Sequence, residues 1–175
     1  MTETGAGYPD LQPADERSGL EQRLDHYRTI VAAAVAGTAW ELATAHLLPA
    51  TDMTIAGIVK HLAWAENRWF LGRMLGVPMP PPWDAPGADD PDPAMRLAAH
   101  DTADGIAHLY ATACARSRAA VAGIASLDET AVVSSFGRGP VNLRWTLVHM
   151  IDETARHAGH LDLLVDAATN DSGRS

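Results

Sequence analysis

The stretch NLRWTLVHMIDETARHAGHLDLLVDAA, Asn142 to Ala168, decides the fold. Leu147, Ile151, Thr154, Ala158, Leu161 and Val165 recur in it at three- and four-residue steps, which is one face of an α-helix. Asn142 is placed to cap its first turn. At about 100° per residue, His149, Glu153, His157 and His160 fall within a sector of roughly 80°. Glu153 and His157 are four residues apart, so their side chains can converge on one ion. Helix bundles build metal sites this way, from side chains that facing helices send into the core.

Another helix must supply the remaining donor. Thr54 is a good N-cap for a helix reaching Leu75, with Ile55, Ile58, Leu62, Trp69 and Phe70 apolar and Gly76 closing it. His61 stands inside its apolar run Ile58 to Trp64 and is the best third ligand. Two further helices complete the set. One starts near Asp15, carries Leu20, Leu24, Tyr27, Val31 and Ala34, and stops at Gly37. The other starts at Asp101 or Thr102 and carries Ile106, Leu109, Tyr110, Ala113, Ser117, Ala120 and Ile124. Thr38 to Leu48 allows a short helical turn, and Val132 to Phe136 a brief extended run. Residues 77–93 contain seven prolines and four aspartates, so they form a long loop, either a lid or a solvated connector. The expectation is an all-α four-helix bundle over residues 15–168, with loose tails at 1–14 and 169–175.

Composition narrows the function. The net charge is −9, and Lys60 is the one lysine among 13 basic residues. No basic block exists to neutralise phosphates, so nucleic acid and anionic membrane surfaces are not expected partners. Residues 1–13 do not read as a secretory signal, and the longest apolar run, Ile30 to Ala36, is too short to span a bilayer. Cys114 is the single cysteine, which excludes an intrachain disulfide and fits a reducing cytoplasm. It reads as a small packing residue.

The donor set His61, Glu153 and His157 suits a catalytic divalent metal, since zinc held by two histidines and a glutamate keeps a position open. Iron, nickel and manganese accept the same donors. His149 and His160, one turn before and after the pair, read as groups that support the ligands or wall the pocket. Arg68 lies seven residues after His61 on roughly the same face, placed to meet an anionic group or Glu153, or to stand as a surface arginine. Arg144 and Arg156 flank the site on the last helix, and Trp64 and Trp69 are candidates for an apolar wall or plain core. Three functions stay open on these residues. A transferase needs an open coordination position, whereas a structural metal site would be closed by His149 or His160. A hydrolase would need a further base, Asp152 or Asp162.

Thr54 to Glu66 followed by Trp69-Phe70, Tyr110 with Ala113-Cys114-Ala115-Arg116-Ser117, and Asp152 to Leu164 resemble the DinB/YfiT-like superfamily. More narrowly they resemble its actinobacterial branch that includes mycothiol S-transferases. The resemblance covers about residues 15 to 168. It implies an up-down-down-up bundle, often a homodimer, with metal ligands at His61, Glu153 and His157. Many members have histidine at the middle position; the similar mycothiol-dependent maleylpyruvate isomerases have glutamate, as here. The implied activity is thiol transfer, with mycothiol as cosubstrate, an electrophile as second substrate and no assigned reaction in many members.

Overall fold

The computed structural model describes residues 15–84, 95–134 and 139–172. It is all helical, without a strand among the described residues. Helix α1 spans Glu16–Ala36, α2 is the single turn Trp40–Ala43, and α3 spans Ile55–Glu66. A nine-residue π-helix, Asn67–Leu75, continues α3 without a break. Helix α4 spans Ala103–Ala122 and α5 spans Leu143–Ser172. In the bundle α1 packs on α5 and α4, and α3 packs on α4 and α5.

Side-chain caps set the helix starts as the residue types demand. Asp15, Thr54, Thr102 and Asn142 accept hydrogen bonds from the amides of Ser18, Gly57, Gly105 and Trp145 at 2.9 to 3.1 Å. Helix α5 runs to Ser172, four residues past the end expected at Ala168, and its buried stripe ends with Leu164 and Ala168. In α1 the expected Leu24 and Val31 are buried together with Arg28 and Val35, and Leu20, Tyr27 and Ala34 pack half-buried beside them.

Helix α3 is the axis of the molecule. Every residue from Ile55 to Glu66 is buried, polar ones included. A polar group with no water must find a partner in the protein, so Lys60, His61 and Glu66 each dictate something about a neighbour. Glu66 takes both nitrogens of the Arg28 fork, Nε at 2.8 Å and Nη2 at 2.6 Å. Lys60 donates to Asp101 at 2.7 Å and to the Arg96 carbonyl at 3.0 Å. That pins the end of the proline-rich connection to α3; its residues 85–94 lie outside the described set. Gly57 lets the same segment come close, since a Cβ there would meet the Met95 carbonyl oxygen at 2.6 Å.

The expected single α-helix from Thr54 to Leu75 therefore changes type at Asn67. The buried Asn67 side chain donates to the Ala63 carbonyl at 2.9 Å, an oxygen that also accepts the Asn67 backbone amide. π-helical turns are rare and concentrate at functional sites. The segment ends at Gly76 with φ 65°, where Val132 Cγ1 would stand 2.7 Å from any Cβ, so glycine is required twice over. The amides of Val132 and Val133 then donate to the Met74 and Arg73 carbonyls at 3.1 and 3.0 Å. The expected extended run at Val132 is thus a cap on the π-helix, joined to a lone bridge between Thr130 and Asn142; residues 135–138 lie outside the described set.

Candidate metal centre

His61 comes from the second turn of α3 and Glu153 and His157 from successive turns of α5. Facing helices bring one donor atom from each to within 4.8 Å of the others. His61 Nε2 lies 3.0 Å from Glu153 Oε1, and His157 Nε2 lies 3.4 Å from the same oxygen. The two imidazole centroids are 5.0 Å apart. Both histidines are buried, while the Glu153 side chain keeps 17% of its surface exposed. Two ring nitrogens aimed at one carboxylate oxygen is the donor set of a divalent cation site, and these residues fit one. Hydrogen bonds from His157 and His61 hold the Glu153 carboxyl far below the usual carboxylate range, in the ionised form that a metal ligand must have.

The surrounding groups separate into those that touch the ligands and those that do not. His160 Nδ1 lies 3.4 Å from His157 Nδ1, on the side of the ring turned away from Glu153. It can orient that ring, as groups behind metal-bound histidines do. His61 Nδ1 is buried with no hydrogen-bond partner among the described residues. Arg156 reaches the outer Glu153 oxygen, Oε2, at 3.3 Å. Arg68 lies over the Trp64 ring at 5.1 Å, and Trp64 in turn lies 5.5 Å from the His61 ring. Burial, with Arg73 adding to it, lowers the Arg68 pKa from its usual value. His149 packs in a different group, 4.3 Å from the Trp69 ring and 5.0 Å from Trp145. Burial lowers the pKa of both His149 and His160, against the pull of Glu153. Arg144 belongs elsewhere: it joins Glu16 and Asp128 and fastens the start of α5 to α1.

Among the described residues the cluster of possible donors is these three side chains, with neither His149 nor His160 as a fourth. Three protein donors would leave a coordination position open, as catalytic rather than structural zinc sites do. Asp152 and Asp162, the bases a hydrolase would call on, are both exposed. A cleft of about 840 Å³ lies one turn before His61, walled by His46, Asp52, Thr54, Gly57, Ile58 and Arg96. His61 and Gly57 share a face of α3, so this cleft and the triad are neighbours along one helix.

Residues 19–168 match the family described as mycothiol-S-transferase. The chain belongs to that family. The crystal structure of a conserved locus protein from Enterococcus faecalis is similar in fold, with a TM-score of 0.69 and 14% identity. The likeness covers 90% of this chain and 99% of the other. No curated protein sequence matches significantly. Membership in the mycothiol-S-transferase family makes a low-molecular-weight thiol the expected substrate class. No helix among the described residues is long and apolar enough to cross a membrane.

Three features of the centre escape sequence reading. The π-helix brings Trp69 against α5, Trp145 joins His149, and Arg28 with Glu66 forms a second buried polar centre on α3. For the last there was a signal in Glu66 itself, a carboxylate inside a run that is otherwise apolar.

Proposed function

We propose that this chain is a metal-dependent thiol S-transferase that joins mycothiol to an electrophilic carbon, with His61, Glu153 and His157 holding a divalent ion, zinc first among the candidates. The open set of three donors supports the reading more than any other observation. When bound, a divalent cation supplies the positive charge that favours a thiolate over a thiol at neutral pH.

The chain's own residues do the rest. Glu153 contributes the one formal negative charge among the three donors and, with 17% of its side chain exposed, marks the side from which a thiol can approach. His160 steadies the His157 ring through its second nitrogen. Arg156 stands at the rim beside Glu153, a cation for an anionic substrate group. The thiol proton passes to solvent at that open side. The sulfur then forms the new bond to carbon, and the leaving group departs with its electron pair. No protein thiol takes part: burial, and next Glu66, push the Cys114 thiol up to about 12, so it stays protonated and unreactive.

The test starts from untagged protein. Elemental analysis is expected to give one divalent ion per chain. Mycothiol conjugation to 1-chloro-2,4-dinitrobenzene is expected to require that ion and to vanish in His157→Ala. An ion bound at full stoichiometry with no thiol-dependent turnover across a panel of electrophiles would sink the transferase reading and leave a binding module.

A further inference from the structure

The cleft of about 840 Å³ beside α3 has room for a molecule of disaccharide size, and its far wall is tied to that helix. That wall is Met95 to Leu97. The Lys60 amine donates to the Arg96 carbonyl at 3.0 Å and to Asp101 Oδ2 at 2.7 Å, and the Ala98 amide donates to the same oxygen at 2.7 Å. Arg96 is thus held by its backbone while its side chain stays exposed. On the opposite side the chain turns into α3, with the Met53 amide on Thr51 Oγ1 at 3.2 Å.

The polar groups of the cleft decide what fits it. Asp52 and Arg96 both line it, both are exposed, and neither makes an ion pair among the described residues. A ligand with one net charge would be drawn by one of them and repelled by the other. Hydroxyl groups suit both, donating to the carboxylate and accepting from the guanidinium. The threonines extend that choice. Thr51 and Thr54 Oγ1 accept backbone amides and keep their protons to donate, whereas Thr44 Oγ1 donates to the Trp40 carbonyl at 3.0 Å and keeps its lone pairs to accept. A zwitterion such as a free amino acid also carries both charges, but it would fill only a small part of the volume.

The cleft also lies beside the triad. Gly57 and Ile58 line it one turn before His61, a rise of about 6 Å from Gly57. Helix side chains lean toward the N-terminus, so the His61 ring stands over the turn that borders the cleft. A group seated there can extend a short arm to the donors.

We infer that this cleft seats a neutral polyhydroxylated group, the carrier of the reacting thiol, with Asp52 and Arg96 as its charged hydrogen-bonding partners. Mycothiol, a cysteine joined by an amide to a glycosyl-inositol, has that form. The delivery of a thiol rests on the transferase reading; the binding of a neutral polyol does not.

The test uses N-acetylglucosaminyl-inositol, neutral and free of sulfur, titrated by calorimetry into the metal-loaded protein. Asp52→Ala and Arg96→Ala change exposed side chains, and each is expected to weaken binding about tenfold. In turnover the same variants should raise KM for mycothiol by a similar factor, while KM for 2-mercaptoethanol and the metal content should not move. Equal binding by wild type and both variants overturns the site. So does a wild type that does not bind the probe, or an equal rise in KM for both thiols. Variant-sensitive binding in a protein without turnover keeps the polyol site and removes only the transferase reading.

Discussion

Of the buried polar groups on helix α3, Glu66 and His61 belong to centres built on opposite plans. At Glu66, 1% exposed, a carboxylate meets a permanent cation, and the Arg28 fork fills both of its oxygens while Arg28 also holds Asp25 at 2.8 Å. At Glu153 a carboxylate offers one oxygen to two imidazoles, groups that carry charge only when protonated, and leaves the other to Arg156 at the rim. The first centre is complete as it stands. The second keeps its inner oxygen on two imidazoles, with the one permanent cation, Arg156, outside at the rim. A buried carboxylate whose two oxygens are filled by arginine holds helices together, and one whose inner oxygen faces two imidazoles has the donor set that our proposal gives to a cation.

Removing one partner from the closed centre should have the largest effect. Arg28→Ala or Glu66→Ala strands an uncompensated buried charge and is expected to cost about 3–5 kcal/mol in denaturant unfolding. The remaining folded protein should still bind one metal ion per chain. Loss of metal at unchanged stability would erase the contrast between the centres.

The open centre should respond in the reverse sense. His61→Ala and His157→Ala are expected to abolish stoichiometric metal by elemental analysis while circular dichroism keeps its helical signal. Full metal occupancy in either variant would remove the ligand assignment. His160→Ala touches only the far side of the His157 ring and should weaken metal binding by about 10–100-fold without abolishing it. Competition with a chromophoric chelator reads that difference.

Cys114 gives the finest discrimination, because it belongs electrostatically to the closed centre. Burial and Glu66 raise its pKa from the ordinary 9.0 to about 12, and Arg28 opposes them. A raised folded value favours the neutral thiol. Its contribution to stability is complete below about pH 9 and is lost as pH climbs toward 12. Native protein at pH 8 should therefore leave a disulfide reagent unreacted until denaturant is added, and Cys114→Ala should change stability by only about 1 kcal/mol. Rapid labelling of folded protein would show that this core is open.

The four long helices were readable because each carries a period of three to four apolar residues and starts at an Asp, Thr or Asn that caps it. The juxtaposition of the three donors was readable too, since Glu153 and His157 share a face at four-residue spacing and His61 interrupts an apolar run. What stayed hidden depends on contacts distant in sequence or on competition for a single acceptor. Arg28 and Glu66 are 38 residues apart, and nothing local links them. Asn67 looks like any helical asparagine until its side chain is seen on the Ala63 carbonyl, at the residue where the helix changes type. Trp145 appears in the sequence as one more aromatic on a helix, and its stacking on His149 needs the fold to be seen.

The Lys60–Asp101 contact has a practical consequence for anyone handling this protein. The chain's one lysine is 7% exposed and its amine is engaged by a carboxylate and a carbonyl, so amine-directed dyes and crosslinkers find no side-chain target while the fold is closed. Acylation at Lys60 becomes a clock for separation of α3 from residues 96–101, a single-site reporter of breathing that needs no engineered label.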